Sequence, residues 1–147
     1  MAGCHTQSNK GGLLLDSIKS LPNFHLSDST QTVIVIADNS CIPCNQHLAK
    51  LVTRFLSDPR VTYVIAAHAD RIDLENFMDS VRQNVYWDRK FELQNKTGLT
   101  TSSVLFLKND HVDTLIEINA QELEGQTNYI MKRMGNPVAD VLPLQES

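Results

Sequence analysis

An α/β fold, with a central mixed sheet of four to five strands and helices on both faces, is the class this sequence predicts. Three observations carry the prediction. Val33–Ala37, Val61–Ala67 and Val104–Leu107 are short apolar runs rich in β-branched residues, the pattern of strands buried on both faces. Between the first two, apolar residues recur at helical spacing. The third is followed at once by turn chemistry at Asn109-Asp110 and a returning strand, Val112–Ile118. Right-handed crossovers make the first two strands parallel and the hairpin adds an antiparallel pair, so the sheet is mixed.

Taken in order, Leu13–Leu21 is apolar along one side and predicts a short helix stopped by Pro22. Phe24 and Leu26 alternate with polar residues, which predicts an edge strand. After Val33–Ala37, Asp38-Asn39-Ser40 breaks the strand and offers caps. From Cys41, residues Leu48, Leu51, Val52, Phe55 and Leu56 mark one helix face, and Ser57-Asp58-Pro59 ends it. Beyond the second strand, Asp73 can cap another helix, with Leu74, Phe77, Met78, Val81 and Val85 facing inward. Tyr86–Thr97 reads as irregular or as a short helix closed by Gly98. A last helix covers Gln121–Met134, ended by Gly135 and Pro137. The domain is therefore expected over residues 13–134, with a flexible tether at 1–12 and a loosely held tail at 135–147.

The chain has 147 residues, enough for one domain with its own core. Hydrophobic residues make up 41% and charged residues 20%, a globular composition. Thirteen basic against seventeen acidic residues leave a net charge of −4, so electrostatics offer no reason to expect a nucleic-acid partner. No apolar run approaches the roughly 18 residues of a membrane span. Three cysteines are too few for a disulfide scaffold, but two of them form a Cys-x-x-Cys.

Cys41-Ile42-Pro43-Cys44 falls where the first buried strand gives way to the first long helix. Cysteines three apart on a first helical turn share a face and can bridge. A helix N-terminus presents unpaired N–H groups and the positive end of the macrodipole, which favour a thiolate. Free thiols titrate near 8.5, whereas values of about 3.5–7.5 are found in such motifs. Cys41, nearer the helix end, is expected to be the attacking nucleophile, and Cys44, one turn deeper, the resolving thiol. Pro43 suits a first turn because its missing N–H has no partner there. His47, one turn beyond Cys44, is a candidate proton relay, since imidazole titrates near neutral pH; its alternative is a surface histidine. His68, after the second strand, is either near Cys41 or an ordinary loop residue.

Met1-Ala2-Gly3-Cys4 and the small, polar residues after it carry a separate signal. Ala-Gly-Cys resembles the end of a bacterial lipobox, in which the cysteine becomes lipidated. That resemblance implies a lipid anchor on Cys4 and an extracytoplasmic, membrane-anchored or periplasmic location; a chance match leaves the protein cytoplasmic.

From about Leu21 to Met134 the sequence resembles thioredoxin-like proteins, especially the extracytoplasmic TlpA/ResA-like thiol–disulfide oxidoreductases. The resemblance rests on Pro22-Asn23-Phe24-His25-Leu26, similar to that group's Pro-x-Phe-x-Leu opening, and on the strand Thr32–Ala37. Cys41-Ile42-Pro43-Cys44 with Leu48, and the hairpin Val104–Ile118, complete it. It implies a thioredoxin fold and disulfide exchange with cysteine-containing proteins and a redox partner, with no cofactor. It also implies a groove for extended peptide around Ile42, Pro43, Ser102 and Ser103. Three positions depart from the family. Ser40 stands where Trp usually precedes the first cysteine, and His47 replaces an acidic residue. Ser103 takes the place of a cis-proline, so a trans peptide is expected there. Two other classes stay open: a copper or zinc carrier using the same cysteines, with His68 as a further ligand, and a redox-inert binding domain whose cysteines form a structural bridge. The Pro-x-x-x-Thr-x-x-Cys pattern of peroxiredoxins is absent.

Overall fold

The computed structural model describes residues 2–37, 41–67 and 83–137, with side chains from Lys10 onward. Its elements are α1 (Ala2–Lys19), β1 (Thr32–Ala37), α2 (Ile42–Phe55), β2 (Val61–Ala66), β3 (Val85–Trp87), α3 (Glu92–Thr97), β4 (Ser103–Lys108), β5 (His111–Glu117) and α4 (Leu123–Met134). The five strands form one mixed sheet in the order β3-β2-β1-β4-β5. β1 pairs in parallel with β2, and β2 with β3; β4 is antiparallel to β1 and to β5.

β1 and β2 are buried at every position, as continuous apolar runs require. Alternation then sorts their side chains. Ile34, Ile36, Tyr63, Ile65, Val104 and Phe106 point to the face covered by α2 and α4. Val33, Val35, Val64 and Leu105 point to the other, where Leu14, Leu15 and Ile18 of α1 and Leu93 of α3 cover them. The β4–β5 turn places Asn109 and Asp110 at φ of 52° and 66°. Two positive φ values in succession are those of a type I′ hairpin turn, which Asn and Asp tolerate better than most residues.

Four sequence expectations change. The stretch containing Phe24 and Leu26 forms no strand. Phe24 instead stacks on Tyr86 at 5.3 Å, whose hydroxyl donates to the Pro22 carbonyl at 2.7 Å, so side chains and not a ladder hold this segment. The first helix begins at Ala2 and not Leu13, so residues 2–12 are helical where a flexible tether was expected. Lys10 pairs with Glu117, and Gly11 lies against Val112, which fastens this helix to β5. Val85 belongs to an edge strand with Tyr86 and Trp87 and not to a helix. The returning strand covers His111–Glu117, beginning and ending one residue earlier than the expected Val112–Ile118. The helix expected from Asp73 falls mostly outside the described residues, as does most of the C-terminal tail.

α3 follows a tight turn. The buried Asp88 carboxylate accepts from the backbone N–H groups of Glu92 (3.0 Å) and Leu93 (2.9 Å), which have no partners within the helix. Phe91 sits there at φ 54°, a left-handed conformation uncommon for an aromatic residue.

Candidate disulfide site at the β1–α2 junction

β1, β2 and β3 run in parallel, so their C-terminal ends at Ala37, Ala66 and Trp87 lie along one edge of the sheet. Such an edge, outside the carboxyl ends of parallel strands, is where open α/β sheets place their sites. Cys41 and Cys44 emerge here. They are joined in a disulfide with Cα atoms 5.0 Å apart, a separation that a one-turn spacing supplies without backbone distortion.

The two sulfurs have different surroundings. Cys41 is the N-cap of α2, extended at φ −66° and ψ 154°, and its Sγ accepts the Cys44 backbone N–H at 3.1 Å. It is partly exposed. Cys44 is 1% exposed and packs with Leu48, Leu51 and Phe55 against the sheet. Ile42 between them is 75% exposed, and Pro43 is exposed too. The first turn of α2 carries no acidic side chain, so no neighbouring carboxylate on that turn opposes negative charge at its N-terminus.

Of the expected peptide groove, Ile42 and Pro43 face outward, whereas Ser102 and Ser103 are buried at 0% and 1% exposure. They brace the sheet edge rather than line a groove. The Ser102 hydroxyl accepts the Ala37 N–H at 3.0 Å, and its carbonyl accepts from Ile118 at 2.9 Å. One residue thereby ties the end of β1 to the segment after β5. Ser103 opens β4, pairs with Val35 and Glu117, and donates its hydroxyl to the Thr101 carbonyl at 3.3 Å. There are no cis peptide bonds among the described residues.

His47 is partly buried on the side of α2 that meets α4, where Nδ1 lies 3.3 Å from the Thr127 hydroxyl. Apolar parts of Cys44, His47 and Thr127 line a shallow depression of about 10 Å³ together with Leu48, Ile118 and Ile130. The Ser102–Ala37 and His47–Thr127 links span 65 and 80 residues of sequence, so no local pattern signals them. Ser40 and His68 lie outside the described residues. Cys4 falls on the α1 backbone, with its side chain outside the described set. Among the described residues, no three His, Cys, Asp or Glu side chains cluster as a metal site, and no helix is long and apolar enough to cross a membrane.

Fold and site together define an α/β protein with a disulfide at the N-terminus of a helix leaving a central parallel strand, an arrangement compatible with redox function. No protein-family model, curated protein or solved structure matches this chain.

Proposed function

We propose that this protein is a thiol–disulfide oxidoreductase of the thioredoxin-like class, exchanging the Cys41–Cys44 couple with cysteine-containing proteins. One observation carries the reading: the disulfide is asymmetric, with one sulfur capping a helix within reach of solvent and the other enclosed in the core. In the reduced protein the Cys44 N–H and the helix N-terminus stabilise a Cys41 thiolate. That thiolate attacks a client disulfide, releasing one client thiolate and forming a mixed disulfide through Cys41. The Cys44 thiolate then attacks the Cys41 sulfur, closing the intramolecular bridge and releasing the second client thiolate. Two electrons pass to the client, and the reverse sequence oxidises a client dithiol. The exposed Ile42 offers an apolar contact beside the reacting sulfur. Lipidation at Cys4 would hold this chemistry at a membrane surface outside the cytoplasm, with a membrane-bound or soluble redox partner restoring the couple.

The test is the reduction potential of the pair, followed by trapping. Redox-active motifs of this kind fall between about −270 and −120 mV, whereas structural bridges lie below about −300 mV. A value in the first range, with client proteins captured on Cys41 of a Cys44→Ala variant, is expected. A potential in the second range, with no client captured, identifies an inert bridge.

A further inference from the structure

We propose that the free edge of β5 is a docking site, where an extended peptide segment carrying apolar and basic side chains on one face adds to the sheet as a sixth strand. β5 has β4 on one side only. In an antiparallel pair, the backbone groups of successive residues point alternately towards the partner strand and away from it. The Ile118 N–H donates to the Ser102 carbonyl, so Ile116 and Thr114 also face β4, and Leu115 and Glu117 face the open edge. The Glu117 carbonyl is taken by Gln126 Nε2 at 2.7 Å. That leaves the Leu115 N–H and C=O and the Glu117 N–H, which bond to none of the described residues. Such a row of groups is a template for another strand, and proteins blunt it with bulges and similar devices. The irregularity of this hairpin lies at Phe106/Leu107, opposite Val112–Thr114, so Leu115–Glu117 keep regular register beyond it.

The edge is also walled. An open groove of about 720 Å³ is lined by Leu115–Glu117, by Lys10 of α1, and by Gly125 and Tyr129 of α4. α1 and α4 cover opposite faces of the sheet, so the groove wraps the edge of β5. Side chains of an added strand alternate between those two faces. On the α4 side they meet Ile116, which is half-buried, and Tyr129, which is 46% exposed despite its large ring. This is the place for apolar residues. A Cβ built on Gly125 has nothing within 4 Å, so the α4 wall is open there. Charge selects the partner further. Glu117, Glu122 and Glu124 line the groove against Lys10 alone, and Lys10 is already paired with Glu117. Glu122 and Glu124 belong to the α4 side, so the same face of the incoming strand carries the basic residue. A second copy of this chain is the wrong occupant. It would bring the same acidic lining to the same groove, and like charges brought face to face oppose association. The proposal goes beyond the oxidoreductase reading and needs no step at Cys41 or Cys44.

The test uses the full chain in its disulfide form and a capped, fluorescein-labelled peptide, Thr-Val-Thr-Lys-Thr-Val-Thr, which places Val, Lys and Val on one face. Fluorescence anisotropy measures binding, and amide hydrogen exchange locates it. In the saturated complex the Leu115 and Glu117 amides should exchange about 10-fold more slowly, while Thr114 and Ile116, already bonded to β4, stay unchanged. Glu in place of the peptide's Lys should weaken binding about 10-fold. N-methylation of the threonines removes the N–H groups that face β5 in an antiparallel pairing, and should abolish binding at unchanged charge. Gly125→Trp fills the open wall and should weaken binding about 10-fold with an unchanged circular dichroism spectrum. Binding without protection of Leu115 and Glu117, binding that survives N-methylation, or no binding at all overturns the inference. Protection of those two amides that arises without peptide and grows with protein concentration assigns the edge to a second copy, and overturns it too. None of these outcomes bears on the oxidoreductase reading, which is tested at the sulfurs.

Discussion

Adjacent glycines in α1 provide a sharp test of how this helix meets the sheet. Either glycine replaced by alanine gains about 1 kcal/mol of helix propensity. Their surroundings differ. A Cβ on Gly12 has nothing within 4 Å, whereas one on Gly11 falls 2.6 Å from Val112 Cγ1 and 3.3 Å from its Cβ. Carbon atoms prefer about 3.5–4.0 Å, so something must move by about 1 Å. Val112 is β-branched, stiff at χ1 and held in β5, so it cannot swing aside cheaply. Overpacking of this kind costs about 1–3 kcal/mol. Gly12→Ala should therefore be stabilising by about 1 kcal/mol, and Gly11→Ala neutral to destabilising by about 2 kcal/mol. Urea unfolding of both variants measures the difference directly, and thermal melts should separate them by about 3 °C per kcal/mol. Adding Val112→Ala removes the obstructing Cγ1, so Gly11→Ala should lose its penalty in that background. Equal stability of the two single variants would refute the packing of α1 on β5.

Three further outcomes are expected. Asp88→Ala should cost about 1–2 kcal/mol, because Glu92 and Leu93 lose their acceptor at the start of α3; unchanged denaturant midpoints would show that the carboxylate is not the cap. Ser102→Ala should cost about 1–3 kcal/mol by leaving the buried Ala37 N–H without its partner, and amide exchange at Ala37 should accelerate; protection equal to wild type would place the bond elsewhere. The Asp113 carboxyl is held below the usual carboxylate range, chiefly by the hydrogen bond from Arg133 and then by that from Thr114. A depressed native value means the charged form stabilises the fold above the unfolded carboxylate value near 3.9, and this is lost as pH falls through the native value. Wild type should thus exceed Asp113→Asn in stability at pH 7 and converge with it in acid; a gap that survives in acid would assign the effect to something other than charge.

Much of this architecture is written locally. β1, β2 and β4 are legible because a strand covered on both faces must be apolar at successive positions, and β-branched residues fit that setting. The hairpin turn is legible because few residues accept two positive φ values in a row, and Asn109-Asp110 are among those that do. The disulfide is legible for the same reason: Cys41 and Cys44 are one helical turn apart, so their approach depends on α2 alone. Residues 2–12 are harder to read, since their glycines and small polar side chains have weak helix propensity. Contacts such as Gly11 on Val112 and Lys10 on Glu117 hold the last turns of this stretch to β5.

The rest required the sheet to close. Val85–Trp87 is only three residues long and half-buried, too short to show a period, and it becomes a strand by pairing with β2. Phe24 and Leu26 alternate like a strand, yet β3 and β5 occupy the sheet's two edges, so these residues pack as side chains over α1 and α3 instead. Within the site, the sequence by itself determined which two cysteines can bridge and which of them lies nearer the helix end. Tertiary structure decided that Ser102 braces β1, that Ser103 is enclosed in the sheet, and that His47 meets Thr127. The physical reason is range. Contacts within one turn of backbone follow from spacing and local geometry, whereas a hydrogen bond across 80 residues exists only after two helices have been packed side by side on the same face.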